Sequence, residues 1–218
     1  MKLLRTVIGS FPRLREDDRE AIDAVVALQR EHHIDLLSDG EQKGDMITYF
    51  ARQIPGLAIE NDFPIVVGKI SPPEDPLSFQ KIVDYHYVRD KYPDLDFKVT
   101  LTGPTALGVT CATRKLSKDY RSIMDFSLYE DLAEALRAIV VPLEKAGANI
   151  QIDEPFLSQG FTDLPKRVDL IDQILEGCAP SKCSIHVCGY LGKQPLLKEL
   201  SRLEHLSLIH ISEPTRPY

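Results

Sequence analysis

Apolar and polar residues alternate along the chain in blocks that predict strands followed by helices. Short apolar runs rich in β-branched residues predict buried strands, and they end in glycine, proline or charged residues. Longer segments with apolar residues three or four positions apart predict amphipathic helices between those strands. The predicted strands are Arg5–Ser10, Ile34–Glu41, Ile65–Ile70, Phe97–Pro104, Asn149–Pro155, Cys183–Gly189 and a last strand that begins near Leu206.

The predicted helices connect these strands in a regular order, which indicates βα units and a parallel sheet. No Gly-x-Gly-x-x-Gly or Walker motif is present, which argues against dinucleotide-binding and P-loop folds. We expect an α/β fold of the (β/α)₈ TIM-barrel type over residues 1–205. The barrel is expected to be incomplete, because the chain has about six βα units and a full barrel typically needs about 250 residues. The predicted helices are Glu16–His33, Asp45–Ile54, Pro76–Tyr92, Ser127–Gly147, Pro165–Gly177 and Lys193–Leu203, and Pro142 is expected to kink the fourth.

Charge and composition narrow the classes of partner. The chain has 218 residues and a formal net charge of −7, and its basic residues do not cluster. Nucleic acid and anionic membrane surfaces are therefore poor candidates as partners. No apolar run approaches the roughly 20 residues of a membrane span, and the apolar start is too short for a secretory signal. We expect a cytoplasmic protein whose four cysteines are free thiols or metal ligands.

Reactive residue types collect where the predicted strands end, and such ends converge on one face of a barrel. The clearest carboxylate is Asp153, which ends an apolar strand. A carboxylate there is costly unless it is paired or binds a cation, and the amino group of a substrate would satisfy it. Two other candidates have ordinary alternatives, because Ser10 is also typical of a turn or helix cap and Glu41 of a solvated loop.

His186 and Cys188 are two residues apart in a predicted strand, so their side chains point to the same side. Imidazole nitrogen and thiolate sulfur are preferred zinc ligands. A buried histidine beside a small apolar cysteine gives the same pattern, and spacing alone favours that interpretation. A zinc site also needs about four ligand positions, of which this motif supplies two.

Five motifs together resemble the catalytic barrel of cobalamin-independent methionine synthases. They occur in the family's order between Thr6 and about Gly189. The short form of this chain is similar to the archaeal-type core enzymes, which have a single barrel. The motifs are TVIGSFPR, SDGEQKGDMITYF, LTGPTALG, IQIDEP and HVCG.

The resemblance implies transfer of a methyl group to the thiol of homocysteine, which forms methionine. It also implies how the substrate is held. The backbone and hydroxyl groups of Ile8, Gly9 and Ser10 would hold the homocysteine carboxylate. Glu41 and Asp153 would bind the homocysteine amino group, in agreement with the charge argument for Asp153.

The resemblance further implies that His186 and Cys188 are two of the zinc ligands. Zinc would favour deprotonation of the homocysteine sulfur and orient it for attack on the methyl donor. In the family a glutamate and a later cysteine complete the site, and this chain offers no candidate for either. We therefore expect the 218-residue chain alone to be inactive.

One departure from the family concerns the methyl donor. Long-form members carry a tryptophan shortly after the Thr-Gly-Pro motif, where the folate donor stacks. This chain has no tryptophan, and the corresponding region reads LGVTCATR. The donor is therefore open between methyltetrahydrofolate and a methyl-corrinoid protein.

The last residues, LSLIHISEPTRPY, do not continue the family pattern. They match one reading frame of a transposase adapter used in DNA sequencing libraries. We expect residues 206–218 to be a non-native tail, so they carry no argument about fold or site. A genuinely divergent tail is the alternative, and the underlying nucleotide sequence would distinguish the two.

Three other functions fit parts of the pattern. A related barrel enzyme could methylate another thiol such as coenzyme M, or decarboxylate a substrate of the uroporphyrinogen type. A barrel without catalytic activity could bind an amino acid in the same pocket. Asp153 separates the first alternative, because coenzyme M has no amino group to pair with that carboxylate.

Overall fold

A computed structural model of the chain describes residues 4–189 and 195–212, and a parallel sheet lies at its centre. The sheet has the order β1-β4-β5-β6-β7, and every neighbouring pair in it is parallel. Two further strands form a separate antiparallel hairpin. The strands are β1 (Leu36–Leu37), β2 (Leu57–Glu60), β3 (Phe63–Val66), β4 (Asp96–Thr102), β5 (Asn149–Asp153), β6 (Cys183–Cys188) and β7 (Leu208–Ser212).

Helices connect successive strands of the sheet, so the predicted α/β fold with parallel strands is confirmed. α5 continues past Pro142 to its end at Lys145, because the preceding turn is held by packing and only one amide donor is lost there. The helices are α1 (Asp18–Glu31), α2 (Thr48–Ala51), α3 (Gln80–Lys91), α4 (Pro104–Arg114), α5 (Phe126–Lys145), α6 (Leu164–Leu175) and α7 (Leu196–Leu200). The first two residues of the helix predicted at 193–203 lie outside the described residues.

The central strands are buried on both faces, and the two faces differ in chemistry. Residues such as Val99 and Ile152 join the apolar core with the helices. The alternate residues are polar, and two of them reach across to the start of the chain: Lys98 donates to the carbonyl of Val7, and Gln151 donates to that of Ile8. The sheet therefore curves around a polar interior as part of a barrel.

The strand predicted at Arg5–Ser10 is reduced to a single parallel bridge between Thr6 and Leu36. The physical reason is that side chains donate hydrogen bonds to the backbone carbonyls that would otherwise accept hydrogen bonds from a neighbouring strand. Ser38 donates to the carbonyl of Gly9 at 2.9 Å, in addition to the contacts with Val7 and Ile8. The predicted strand at Ile34–Glu41 is likewise shortened to the two residues of β1.

Two elements were missed by the hydrophobic pattern. α4 is buried on most of its surface, so it lacks the polar stripe that marks an amphipathic helix. The hairpin strand β2 was also missed, and β3 begins and ends earlier than the strand predicted at Ile65–Ile70. Asn61 and Asp62 join the hairpin, both with positive φ (50° and 65°), as its tight turn requires.

β7 lies within the segment expected to be a non-native tail, and it pairs with β6 from Ser184↔Leu208 to Cys188↔Ser212. The strand expected near Leu206 is therefore present, and the origin of residues 206–218 stays a prediction. Residues 213–218 of that segment lie outside the described residues. In the described part of the chain, no helix has both the length and the apolar character that crossing a bilayer requires.

Candidate active site at the carboxyl ends of the strands

The loop that follows β1 places two carboxylates inside the barrel. Asp39 and Glu41 are each 8% exposed, although both follow the strand in what reads as a polar loop. Gly40 and Glu41 have positive φ values of 75° and 54°, so the backbone turns sharply between the two acids. A positive φ is uncommon for glutamate, and such backbone strain concentrates at functional sites.

Lys81 of α3 is the partner of this acidic loop. Its ammonium group lies 3.1 Å from Oε1 of Glu41 and 3.7 Å from Oδ2 of Asp39, and its side chain is 0% exposed. The ring of Tyr49 lies 4.4 Å from the same nitrogen. Burial lowers the pKa of Lys81, but the two carboxylates outweigh burial, so the pKa lies above its ordinary value. The lysine therefore stays charged and compensates the buried acids.

Asp153 ends β5 and is 7% exposed. It accepts a hydrogen bond of 2.7 Å from the side-chain amide of Gln151. Burial raises the pKa of Asp153 to about 7, against the opposing effect of that hydrogen bond, and the charge of Glu41 raises it further. Glu41 and Asp153, which lie far apart in the chain, are thus brought into electrostatic contact within one buried polar region.

Glu154 has a different role from its neighbour. Its carboxylate accepts hydrogen bonds from the backbone amides of Thr105 and Ala106, at 2.7 and 3.0 Å, in the first turn of α4. Burial raises its pKa to about 8, against the effect of those two amides. Glu154 therefore caps α4, and Asp153 alone of the two faces the barrel interior.

Ile8, Gly9 and Ser10 lie beside this region on the first extended segment. Ile8 is 47% exposed and Ser10 is exposed, whereas Gly9 is buried against Thr100 of β4. A Cβ atom on Gly9 would lie 2.5 Å from Cγ2 of Thr100, and its φ of 139° also disfavours other residues. Phe11 donates to the carbonyl of Gly40, which fixes this segment to the acidic loop.

His186 and Cys188 point to the same side of β6, as their spacing predicts. Nε2 of His186 lies 3.0 Å from Sγ of Cys188. Asp153 is the register partner of His186 on the neighbouring strand, so all three residues belong to one interior face. The carboxylate of Asp153 and the nitrogen and sulfur donors therefore lie on adjacent strands of the same face.

His186 and Cys188 carry nitrogen and sulfur, the two atom types that zinc prefers. Two ligands of a tetrahedral zinc ion lie about 3.6 Å apart, so this pair, in direct contact at 3.0 Å, would have to separate by about 0.6 Å to hold one. In residues 4–189 and 195–212, no group of three or more histidine, cysteine, aspartate or glutamate side chains is placed to hold a metal ion. The described part of the chain thus holds no complete set of metal ligands, and zinc binding stays a prediction.

Sequence reasoning missed several polar residues of this region. Lys81 sits on the buried face of α3 near Ile82 and Tyr85, where a lysine is rare unless it is paired. Lys98 and Gln151 occupy alternate positions of strands that read as uniformly buried. The available signal was a charged or amide residue at an otherwise apolar position.

Comparison with known proteins supports the resemblance seen in the motifs. Residues 13–187 match the family model described as cobalamin-independent synthase, catalytic domain. A methionine synthase of Methanothermobacter marburgensis is 32% identical over 193 residues, which cover 85% of this chain and 60% of that protein. A methionine synthase of Methanothermobacter thermautotrophicus is 33% identical, and the match covers 85% of this chain and 59% of that protein.

A solved structure shows the same fold. The B12-independent methionine synthase from Shewanella sp. W3-18-1, in complex with selenomethionine, superposes with a TM-score of 0.68 at 22% identity. The match covers 84% of this chain and 61% of that one, so the sheet is an incomplete TIM-type barrel, as predicted. The chain spans about 60% of the length of the relatives it matches. It belongs to the cobalamin-independent methionine synthase family, whose catalytic domain accounts for most of its length.

Proposed function

We propose that the protein of which this chain is part transfers a methyl group to the thiol of homocysteine in a zinc-dependent reaction that forms methionine. One observation carries the proposal. The buried carboxylates of Glu41 and Asp153 share an interior face with the His186–Cys188 pair. A ligand that bears both an amino group and a thiol matches this arrangement of acceptors and metal-binding atoms.

The amino group of homocysteine would bind between Glu41 and Asp153. Both carboxylates are removed from water, so an ammonium group gains a strong interaction there. Lys81 contacts Oε1 of Glu41, so we assign Oε2 to the substrate amino group. The substrate carboxylate would lie against the backbone at Ile8, Gly9 and Ser10, at the more exposed edge of the site.

His186 and Cys188 would hold zinc, and the remaining ligands would come from sequence that these relatives have and this chain does not span. Zinc, when bound, lowers the pKa of a coordinated thiol and makes the thiolate available at neutral pH. The chain's own residues orient the substrate, since the amino group fixed at Asp153 places the sulfur toward His186. The adjacent strands β5 and β6 set that distance.

In the transfer the thiolate sulfur forms a bond to the methyl carbon of the donor. The bond between that carbon and the donor breaks, and its electron pair stays on the donor. The proton that the thiol loses is taken up by the demethylated donor or by solvent. The absence of tryptophan leaves methyltetrahydrofolate and a methyl-corrinoid protein as the two candidate donors. We place the reaction in the cytoplasm, where thiols stay reduced.

The decisive experiment uses the full-length gene product that carries residues 1–205. The Asp153→Asn variant should raise KM for homocysteine about tenfold or more and leave KM for 4-mercaptobutyrate, which lacks the amino group, unchanged. Equal effects on the two thiols would refute an amino-group role for Asp153. Binding of homocysteine without methyl transfer from either donor would favour the amino-acid-binding alternative.

Zinc content provides a second test. One zinc per chain should be found in the full-length product by elemental analysis, and His186→Ala or Cys188→Ser should remove it. The 218-residue chain should bind zinc weakly and show no activity, because its described residues offer two donors. A soluble 218-residue monomer with one tightly bound zinc would contradict the proposed ligand set.

A further inference from the structure

Gln151 makes contacts that no neighbouring residue of β5 makes. It is 0% exposed and lies between the two sides of the proposed substrate site. Its Nε2 donates to the carbonyl of Ile8 at 2.7 Å and to Oδ1 of Asp153 at 2.7 Å. Its Oε1 accepts from the ammonium group of Lys98 at 2.6 Å. The contact between Gln151 and Ile8 joins residues that are 143 positions apart in the chain.

The orientation of the amide follows from its partners. Lys98 has only donors, so it must face the carbonyl oxygen of the side chain. The carbonyl of Ile8 has only acceptors, so it must face the NH₂ group. Each of the two amide hydrogens then has one acceptor, and a flipped amide would place like groups together at all three contacts.

Lys98 contacts the oxygen of the amide, whereas Asp153 contacts its nitrogen. It also donates to the carbonyl of Val7, so the lysine and the glutamine hold consecutive carbonyls of the first segment. These contacts replace the backbone ladder that the segment does not form with the sheet. The position of Ile8 relative to Asp153 is therefore set by side chains rather than by strand pairing.

We propose that Gln151 is a positioning residue that fixes the carboxylate-binding segment at Ile8 in register with the amine-binding carboxylate of Asp153, so that a ligand with both groups is bound as one unit. This inference rests on the proposed function, since it assigns the two substrate groups to those two sides. A ligand with both groups benefits from a fixed separation between its two binding elements. A ligand with one group does not need that separation.

The test measures dissociation constants by calorimetry on the full-length gene product. Three probes are used: homocysteine, 4-mercaptobutyrate without the amino group, and 3-aminopropane-1-thiol without the carboxylate. Gln151→Glu keeps the size of the side chain and the acceptor for Lys98 but removes both donors. Gln151→Met removes the polar group without adding charge.

Both variants should weaken homocysteine binding about tenfold or more, and should weaken binding of each one-group thiol distinctly less. An equal loss for all three probes would show a merely structural role and overturn the proposal, as would no loss. If the wild-type protein does not bind homocysteine, the proposed function itself fails. If the wild-type protein binds homocysteine and both Gln151 variants bind it equally well, only the inference about Gln151 fails.

Gln29 provides the matched control. It is also a buried glutamine, 1% exposed, and it bonds the backbone of Ser38 through both its amide nitrogen and its oxygen. Gln29→Glu should lower stability without changing the ratio of the three dissociation constants.

A spectroscopic measurement covers the case in which neither Gln151 variant folds. The side-chain amide ¹H–¹⁵N signals of Gln151 in the wild-type protein should shift with homocysteine and shift differently with each one-group thiol. Signals that are identical for the free and all bound forms would overturn the proposal.

Discussion

The ammonium group of Lys81 lies 3.1 Å from Oε1 of Glu41, and both side chains are buried. Lys81 comes from the first turn of α3, and Glu41 comes from the loop that follows β1. The pair therefore fastens a helix on the outside of the sheet to a strained turn at the carboxyl end of the strands. Asp39, 3.7 Å from the same nitrogen, gives the lysine a second negative partner.

Lys81→Met should destabilise the protein by about 3 kcal/mol, because it leaves two buried carboxylates without their cation. The measurement is the free energy of unfolding in urea for the full-length gene product. Lys115→Met is the matched control, since Lys115 pairs with Glu60 at the surface with side chains 51% and 53% exposed. That pair should contribute little. Equal losses for the two variants would contradict a buried ionic link.

Lys98 should make stability depend on pH in the alkaline range. Burial lowers its pKa to about 8 from 10.5, with Asp153 acting in the opposite direction. Below pH 8 the lysine is protonated in both the folded and unfolded states, and folding carries the cost of burying the charge. Between about pH 8 and 10.5 the unfolded state binds more protons, so the contribution of Lys98 to stability rises with pH.

The comparison that isolates this effect is wild type against Lys98→Met. The unfolding free energy of wild type minus that of the variant should increase from pH 7.5 to pH 10, as measured by urea melts at matched ionic strength. The other lysines and tyrosines titrate equally in both proteins and cancel in the difference. A flat or falling difference would rule out a depressed pKa for Lys98.

Gly103 should not tolerate a methyl group. A Cβ atom there would lie 2.3 Å from Oε1 of Glu154, the buried carboxylate that caps α4. Gly103→Ala should therefore lower the unfolding free energy by about 1–3 kcal/mol. Gly68→Ala is the control, because its nearest atom would be 3.9 Å away. Similar effects of both substitutions would contradict the close approach.

The cysteines should differ in their reaction with an alkylating agent. Cys111 is buried, and burial raises the pKa of its thiol to about 12, so its thiolate is scarce at neutral pH. Cys188 is half-buried at the end of β6 and should be alkylated first, with zinc slowing its reaction. Mass spectrometry of tryptic peptides gives the order, and alkylation of Cys111 before Cys188 would contradict it.

The elements with a strong periodic pattern were predicted well from the sequence. α1, α3, α5, α6 and the strands β4, β5 and β6 lie within a few residues of their expected bounds. These elements bury an apolar face along their length, so local spacing carries the information. α4 lacked that signal because most of its surface is buried. The turn at Asn61 and Asp62 did carry a signal for the hairpin, since this residue pair is typical of tight turns.

The site was predictable in part. The order of motifs selected the strand ends at Glu41, Asp153, His186 and Cys188, because parallel strands bring their carboxyl ends together. Lys81 was not predictable, because a helix pattern does not show which loop its buried face meets. Whether the selected residues bind substrate and zinc stays a prediction, which the experiments above test.

The sequence by itself determined the alternation of strands and helices, the class of fold and the strand ends where reactive residues collect, since each depends on local spacing and composition. Only the tertiary structure decided which buried polar groups meet and what they contact. The contacts of Glu41 with Lys81 and of Gln151 with Ile8 join residues that are far apart in the chain, and curvature of the sheet brings them together. Such contacts depend on the direction in which each side chain points and on how deeply it is buried, and a linear pattern does not contain that information.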